Sequence, residues 1–349
     1  MLLIFANYCI IIAIRKYTRS LCNGGGKGYI MKFIDDKIRE LESYMPPLTR
    51  RDDFLPFWQS NIEKSRKMPL NLRKVERENS FRNIKSYDVY YDSADGATVC
   101  HGLLIIPENY SKPLPVAVLF HGFSWYCGQV HDHLQYPNLG MALLALDHRG
   151  QNGSSADRHA YKNDSLDFMT RGCEDKEDYT VKWSILDGIR AIDYVYDCPD
   201  FDSDMIFTTG PSQGGAMSLS VACLDERVKY CFCDVPSNCN IERRIQNRNG
   251  SFNQVHEYLR RRPDRMEKVY ETLSYFDIMN MAEYCKAEVF ASVGLEDTTC
   301  PAICFYAAYN RLQCKKHIAV YPFAEHEGGW FNYDVDKYKI IREILDGKE

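Results

Sequence analysis

Six short apolar runs, each about the length of one β-strand, set the strongest limit on how this 349-residue chain can fold. Segments with helical patterning separate several of them, including an amphipathic stretch at residues 181–196. Strands that are apolar along their whole length are buried on both faces, which is typical of a mostly parallel sheet with helices on both sides. The sequence therefore predicts an α/β fold around such a sheet. The runs are residues 116–120, 141–146, 205–209, 229–234, 288–293 and 316–321.

The chain before these runs has a different pattern. Residues 86–92 and 97–107 read as two antiparallel strands, joined by the turn Ser93-Ala94-Asp95-Gly96. Two candidate helices, at residues 34–45 and 57–66, precede the strands. Further along, the charged and helical segment at about 241–286 is inserted between two of the buried strands. We expect this helical insertion to cover the active site.

Residues 1–30 stand apart from the rest. Their apolar run, residues 1–14, is shorter than the roughly 20 residues that span a bilayer. It also lacks the basic residues that come before the apolar stretch of a signal peptide. A Gly-rich break and then Met31 follow, and Met31 opens a typical soluble domain. We interpret residues 1–30 as a non-structural N-terminal extension and residues 31–349 as one domain; a membrane-targeting segment is the alternative.

Composition limits the classes of partner. The net charge of −5 gives no basic surface for nucleic acid, and it favours a neutral or modestly charged small molecule as the substrate. The 14 cysteines do not have zinc-site spacing: Cys231 and Cys233 are one residue too close, and Cys300 and Cys304 lack a second pair nearby. We expect no metal, and we expect reduced, buried thiols in a cytoplasmic protein.

The segment Gly210-Pro211-Ser212-Gln213-Gly214 matches the nucleophile elbow G-x-S-x-G. It follows an apolar strand and precedes a helix-compatible run, which is the context that this motif requires. Gly210 and Gly214 leave room for a tight turn, so the Ser212 hydroxyl stands at the end of the strand. The Gln213 N–H then lies at the helix start, where it faces developing negative charge. The motif predicts an α/β-hydrolase fold with Ser212 as nucleophile.

A serine hydroxyl becomes a good nucleophile when a base takes its proton and an acid orients that base. In this fold the chain order is Ser, then Asp or Glu, then His, in loops after later strands. Asp297 follows the strand at residues 288–293, with Glu296 as a rival, and His326 follows the strand at residues 316–321. His317 lies within its strand and is interpreted as packed or solvated.

Two further segments follow buried strands. His121-Gly122-Phe123 is similar to the turn that supplies a second oxyanion donor, and the Phe123 N–H is our candidate. Arg149 follows the strand at residues 141–146. A guanidinium there either binds a substrate carboxylate or ties loops together near the site, and we favour the structural role.

Together these motifs resemble the acetyl xylan esterase / cephalosporin-C deacetylase family of α/β-hydrolases. The resemblance runs from about Leu41 to Ile344. It implies an enzyme without a cofactor that removes acetyl groups from small acetylated sugars and related esters. It further implies a cytoplasmic location and assembly into ring-like hexamers, and we expect no association with a membrane. Its motifs include Tyr44-Met45-Pro46-Pro47, Asp147-His148-Arg149-Gly150-Gln151, Thr170-Arg171-Gly172, Gly210-Pro211-Ser212-Gln213-Gly214-Gly215, Gly294-Leu295-Glu296-Asp297 and His326-Glu327.

One loop departs from the family pattern. Family members usually carry tyrosine and then glycines after His-Gly, whereas this chain has Phe123 followed by Ser124, Trp125, Tyr126 and Cys127. Trp125 and Tyr126 are therefore candidates for the substrate pocket, with an altered choice of substrate.

Two other functions stay open at this point. The Ser–Asp–His order does not separate esters from amides, so a peptidase of the same fold is one alternative. The other is a binding protein that keeps the fold and has lost activity.

Overall fold

The computed structural model describes residues 29–347, so most of the predicted N-terminal extension lies outside the described residues. Within them nine strands form one sheet in the order β1-β2-β3-β5-β4-β6-β7-β8-β9. The strands are β1 (Arg73–Arg77), β2 (Ile84–Asp92), β3 (Val99–Pro107), β4 (Leu114–Phe120), β5 (Ala142–Leu146), β6 (Phe201–Pro211), β7 (Tyr230–Asp234), β8 (Glu288–Gly294) and β9 (Lys316–Tyr321).

Helices cover this sheet, and short 3₁₀ turns occur between several elements. The α-helices of the described residues are α1 (Tyr29–Ser43), α2 (Phe54–Arg66), α3 (Gln135–Asn138), α4 (Thr180–Asp197), α5 (Gln213–Leu224), α6 (Ile241–Asn247), α7 (Asn253–Arg261), α8 (Met266–Ser274), α9 (Ile278–Met281), α10 (Ala302–Tyr309) and α11 (Trp330–Leu345). None of them combines the length and the apolar character needed to cross a bilayer.

The six apolar runs form β4 to β9, and all five pairings among these strands are parallel. Both faces are buried, as the continuous apolar runs require. Val116 and Val118 of β4 join the larger hydrophobic core, whereas Ala117 between them joins a second core on the other face. The predicted α/β architecture with a mostly parallel, doubly covered sheet is confirmed.

The N-terminal strands β2 and β3 pair antiparallel around the predicted turn, and β3 continues the sheet by pairing with β5. Strand β1, which pairs with the outer edge of β2, was not predicted. Its sequence Arg-Lys-Val-Glu-Arg is mostly exposed, and charged residues are typical of edge strands because they discourage pairing with another chain. Without a buried face, β1 has no apolar alternation to detect.

The segment predicted as a helical insertion contains α6 to α9, between β7 and β8. It contacts the loop that follows β8: the Asn249 side chain donates to the Thr298 carbonyl at 3.2 Å. It also contacts a 3₁₀ turn near the site, because the Met169 N–H donates to the Gln254 side chain at 3.0 Å. The helices therefore lie beside the carboxyl ends of the strands.

Candidate active site

The elbow after β6 has the strained geometry that its glycines permit. Ser212 has φ of 57° and ψ of −117°, a backbone conformation that residues other than glycine rarely adopt. A Cβ at Gly210 would lie 2.2 Å from the Phe120 carbonyl oxygen, and one at Gly214 would lie 1.9 Å from it. Side chains at these positions would therefore force β4 away from the elbow.

Ser212, His326 and Asp297 form one chain of hydrogen bonds. The Ser212 hydroxyl lies 3.0 Å from His326 Nε2, and His326 Nδ1 lies 2.8 Å from Asp297 Oδ2. The other carboxylate oxygen of Asp297 accepts the N–H groups of Thr299 and Cys300, both at 2.7 Å. Asp297 is buried, whereas its rival Glu296 is exposed. The geometry thus brings together the three predicted residues and selects Asp297 over Glu296.

The two candidate oxyanion donors lie at the helix start after the elbow and in the loop after β4, which approaches the elbow: a Cβ at Gly122 would lie 3.9 Å from the Pro211 carbonyl oxygen. Gln213 is the first residue of α5, so its N–H points out of the helix start. Phe123 lies in the loop after β4, half-buried, with its ring 6.0 Å from that of Phe168. Within residues 29–347 neither N–H has a hydrogen-bond acceptor. Both are thus available to a negatively charged oxygen.

Side chains from the segment after β5 hold the loop that carries Phe123. The Ser124 N–H donates to Gln151 Oε1 at 2.7 Å, and the Asn152 amide donates to the Ser124 carbonyl at 2.7 Å. Ser124 itself has a positive φ of 58°. These two contacts fix the backbone directly after Phe123.

Asp147 holds the far end of the same loop. Its carboxylate accepts the Cys127 N–H at 2.6 Å, the Ser154 N–H at 2.7 Å and a ring N–H of His101 at 2.7 Å. Burial alone would raise the pKa of Asp147, but these donors lower it to about 2. The other ring nitrogen of His101 lies 2.9 Å from Asp88. An imidazole between two carboxylates is stabilised in its protonated form.

His101, Cys127 and Asp147 also bring three atoms that can bind a metal within 4.8 Å of one another. The carboxylate is already occupied by its three donors, and burial raises the pKa of the Cys127 thiol far above the range in which it would be a thiolate. We interpret this cluster as support for the loop rather than as a metal centre.

A cavity of about 600 Å³ opens beside the imidazole of His326. Trp125 and Tyr126, the predicted pocket residues, line it, and their ring centroids are 5.7 Å apart. Trp330, at the start of α11, lines the same cavity. Trp330 was not predicted as a site residue, because it follows His326-Glu327 without any recognised motif.

Arg149 lies away from solvent, and its partners are all protein groups. Its guanidinium donates to Asp187 of α4 at 2.8 Å and to Asp95 of the β2–β3 turn at 2.7 Å. Burial alone would raise the pKa of Asp95, but the Arg149 charge and nearby N–H groups lower it to about 2. The side chain thus ties a turn to a helix, as in the structural role favoured from the sequence. His317 likewise binds Glu288 across two strands at 2.7 Å.

Known proteins resemble this chain over most of its length. A family model described as acetyl xylan esterase (AXE1) matches residues 31–343. A solved acetyl xylan esterase from Paenibacillus sp. R4 is 36% identical, with a TM-score of 0.84 over 88% of this chain and 99% of that one. Acetyl Xylan Esterase 1 from Thermoanaerobacterium sp. JW/SL YS485 is 29% identical, with a TM-score of 0.83 over 88% and 98% of the two chains.

The acetyl esterase Axe7A of Xylanibacter ruminicola is 28% identical over 298 residues, which are 81% of this chain. The chain spans 65% of the length of that relative. The family model, in contrast, matches nearly the whole of the described chain. On this evidence the chain belongs to the acetyl xylan esterase family.

Proposed function

We propose that this protein is a serine esterase that removes acetyl groups from small acetylated carbohydrates such as xylo-oligosaccharides. The observation that carries the proposal is the hydrogen-bonded chain from Ser212 through His326 to Asp297. A hydroxyl, an imidazole and a buried carboxylate in this order are the parts needed for acyl transfer. The names of the relatives, acetyl esterase and acetyl xylan esterase, support an acetyl ester as the substrate.

The reaction would proceed in two steps. Ser212 attacks the ester carbonyl while His326 Nε2 takes its proton, and Asp297 stabilises the imidazolium that forms. The N–H groups of Phe123 and Gln213 stabilise the negatively charged oxygen of the tetrahedral intermediate. His326 then donates this proton to the sugar oxygen as the bond between that oxygen and the carbonyl carbon breaks. The acetyl group stays on Ser212 as an ester. Water, activated by the same imidazole, attacks this ester, and acetate is released.

Further properties are proposed from the family resemblance. These are activity on related acetyl esters such as cephalosporin C, a cytoplasmic location and a ring-like homohexamer. All twelve cysteines of the described residues are free thiols, and ten of them are buried, which suits a reducing compartment. Light scattering coupled to gel filtration tests the hexamer, since a monomeric mass would contradict it.

The first experiment is acetate release from acetylated xylo-oligosaccharides and from nitrophenyl acetate, with wild type beside Ser212→Ala. We expect activity on both substrates and a fall in kcat of about 10⁴ to 10⁶-fold in the variant, because nucleophile and base act as a unit. Ser43→Ala, at an exposed serine at the end of α1, is the matched control and should retain full activity.

An aminoacyl nitroanilide in the same assay distinguishes the peptidase alternative, and we expect no hydrolysis of it. Labelling by a serine-directed fluorophosphonate, lost in Ser212→Ala, distinguishes an enzyme from a binding protein. A folded wild-type protein that neither releases acetate nor takes up the label would overturn the proposal.

A further inference from the structure

The cavity beside His326 lies on one particular side of the serine. Its wall contains His326 and the residues directly before the serine and before Phe123, namely Pro211 and Gly122. Ser212, Phe123 and Gln213 are not among the described residues that line it, so the cavity meets the triad at His326. In acyl transfer the imidazole hands its proton to the leaving oxygen, so the alcohol part of an ester lies on the histidine side. The cavity is therefore placed to hold the alcohol, and its volume lies in the range of small-molecule sites.

Large aromatic rings stand exposed at its mouth. Trp125 is 61% exposed and Trp330 is 60% exposed, although both line a concave surface. Trp330 stacks on Phe331 with ring centroids 5.1 Å apart, and the rest of each indole is open to solvent. Exposed aromatic surface of this kind is typical of sites that bind a ligand with a flat apolar surface. The C–H faces of a pyranose ring provide a surface of this kind.

The backbone at this cavity is strained. Trp330 has φ of 44° and Val235, which also lines the cavity, has φ of 40°. A positive φ is unusual for a bulky residue and is a true outlier for a β-branched one. Strain of this kind persists where the surrounding structure imposes it, and it clusters at ligand sites. Both strained residues line the cavity, which is consistent with a ligand site there.

The ionisable groups of the cavity wall carry a net negative charge. Four carboxylates line it, from Asp132, Asp234, Glu327 and Asp334, against one ammonium group, that of Lys337. Lys337 is buried and already pairs with Asp234 at 2.9 Å. Burial raises the pKa of Asp334, with Lys337 acting in the opposite direction and Asp234 adding to the rise. The lining histidines His121 and His133 add no positive charge near neutral pH, because burial lowers their pKa values.

From these observations we propose that the cavity binds the sugar of the acetyl ester, with the pyranose stacked on Trp125 and Trp330, and that its carboxylates exclude anionic sugars. The preferred substrates are then neutral acetylated oligosaccharides, and those with a uronic acid near the acetyl group are poor substrates. This inference rests on the proposed esterase function and specifies the substrate class of the same site.

The stacking is tested by Trp330→Ala and Trp330→Phe. The readout is kcat/KM on neutral acetylated xylobiose divided by kcat/KM on nitrophenyl acetate, which carries no sugar. We expect the ratio to fall about tenfold in Trp330→Ala, mainly through KM, and to be largely restored in Trp330→Phe. Val335→Ala is the control: Val335 is 70% exposed on the same helix and does not line the cavity.

The charge is tested with two acetylated xylo-oligosaccharides that differ only in a glucuronosyl carboxylate. We expect wild type to prefer the neutral one about tenfold at low salt, with a smaller preference at high salt. Asp334→Asn should reduce the preference. Asp336→Asn, which removes the same charge two residues away outside the cavity wall, should leave it unchanged.

The outcomes separate this inference from the proposed function. Absence of nitrophenyl acetate hydrolysis by wild type would overturn the esterase itself. Hydrolysis of that ester with an unchanged ratio in Trp330→Ala would overturn the sugar site and leave the esterase intact. Equal rates on the two oligosaccharides at low salt would overturn the exclusion of anions.

Discussion

Two parts of the candidate site are held in place in different ways. The loops that carry Asp297 and His326 are joined through their backbones: the Leu295 N–H donates to the Tyr321 carbonyl and the Glu296 N–H to the Ala324 carbonyl, both at 3.0 Å. The loop at residues 121–128 is held by side chains instead, from Asp147, Gln151 and Asn152. We call these the triad part and the oxyanion loop. The order of the strands thus determines where the triad part lies, whereas individual side chains determine where the oxyanion loop lies.

This difference has a consequence for mutation. Substitutions in the triad part should change chemistry while the fold persists, because backbone hydrogen bonds keep the loops in place. Substitutions of the side chains that hold the oxyanion loop should change stability as well as rate.

The largest effect is expected from Asp297→Asn, which keeps the shape of the side chain and removes its charge. An amide at this position no longer stabilises the imidazolium and favours the wrong tautomer of His326, so kcat should fall about 10⁴-fold. The free energy of unfolding should change much less than the activation free energy. The measurements are initial rates on nitrophenyl acetate and urea unfolding.

Glu296→Gln is the matched control for this variant, since it removes a charge from the neighbouring exposed residue. Its kcat should stay within about twofold of wild type, as is usual for surface substitutions. A larger loss of kcat in Glu296→Gln than in Asp297→Asn would mean that Glu296, and not Asp297, is the acid of the triad.

The next effect is expected from Asp147→Asn in the support of the oxyanion loop. The substitution removes one of the two carboxylates that contact His101 and turns one acceptor of backbone N–H groups into a donor. Breaking a buried charge pair of this kind costs about 3 kcal/mol of unfolding free energy. Because the Cys127 end of the loop is released, kcat should fall too, by about tenfold. Urea unfolding and initial rates measure the two effects.

Asp164→Asn removes an equal charge from an exposed loop residue and should change neither quantity appreciably. If Asp147→Asn lost activity but kept its full unfolding free energy, the stability of the oxyanion loop would not depend on this side chain, and the two parts of the site would not differ.

The same distinction explains how much the sequence could predict. Strands β4 to β9 were recognised because each is a continuous apolar run, and the three triad positions followed from the order of strand ends. Gln151 and Asn152 were not recognised as supports of the loop, because their partner Ser124 lies 27 and 28 residues away. Trp330 was missed for a similar reason, since the cavity it lines exists only after α11 packs beside the oxyanion loop. Long-range side-chain contacts leave no local pattern.

The smallest effect is a pH dependence of stability that belongs to the oxyanion loop. Burial opposes protonation of His101, but its contacts with Asp147 and Asp88 prevail and raise its pKa. A group whose pKa is higher in the folded protein contributes stability that is complete below its unfolded value, about 6.5. That contribution is lost as the pH rises through the higher folded value. Burial lowers the pKa values of His121, His133 and His148, which act in the opposite direction, so the readout is the difference between two profiles. Wild type should lose its advantage in unfolding free energy over His101→Gln as the pH rises above about 6.5.

Stability is the right readout for this test, because activity also depends on proton transfer by His326 in the proposed mechanism. The control is His131→Gln, at a histidine exposed on the surface near the same loop, which should keep the wild-type slope. Parallel slopes for wild type and His101→Gln would mean that His101 is not charged between its two carboxylates. Asp147 would then hold the loop as a hydrogen-bond acceptor alone, and the loss in Asp147→Asn should shrink towards that of a neutral hydrogen bond, about 1 kcal/mol.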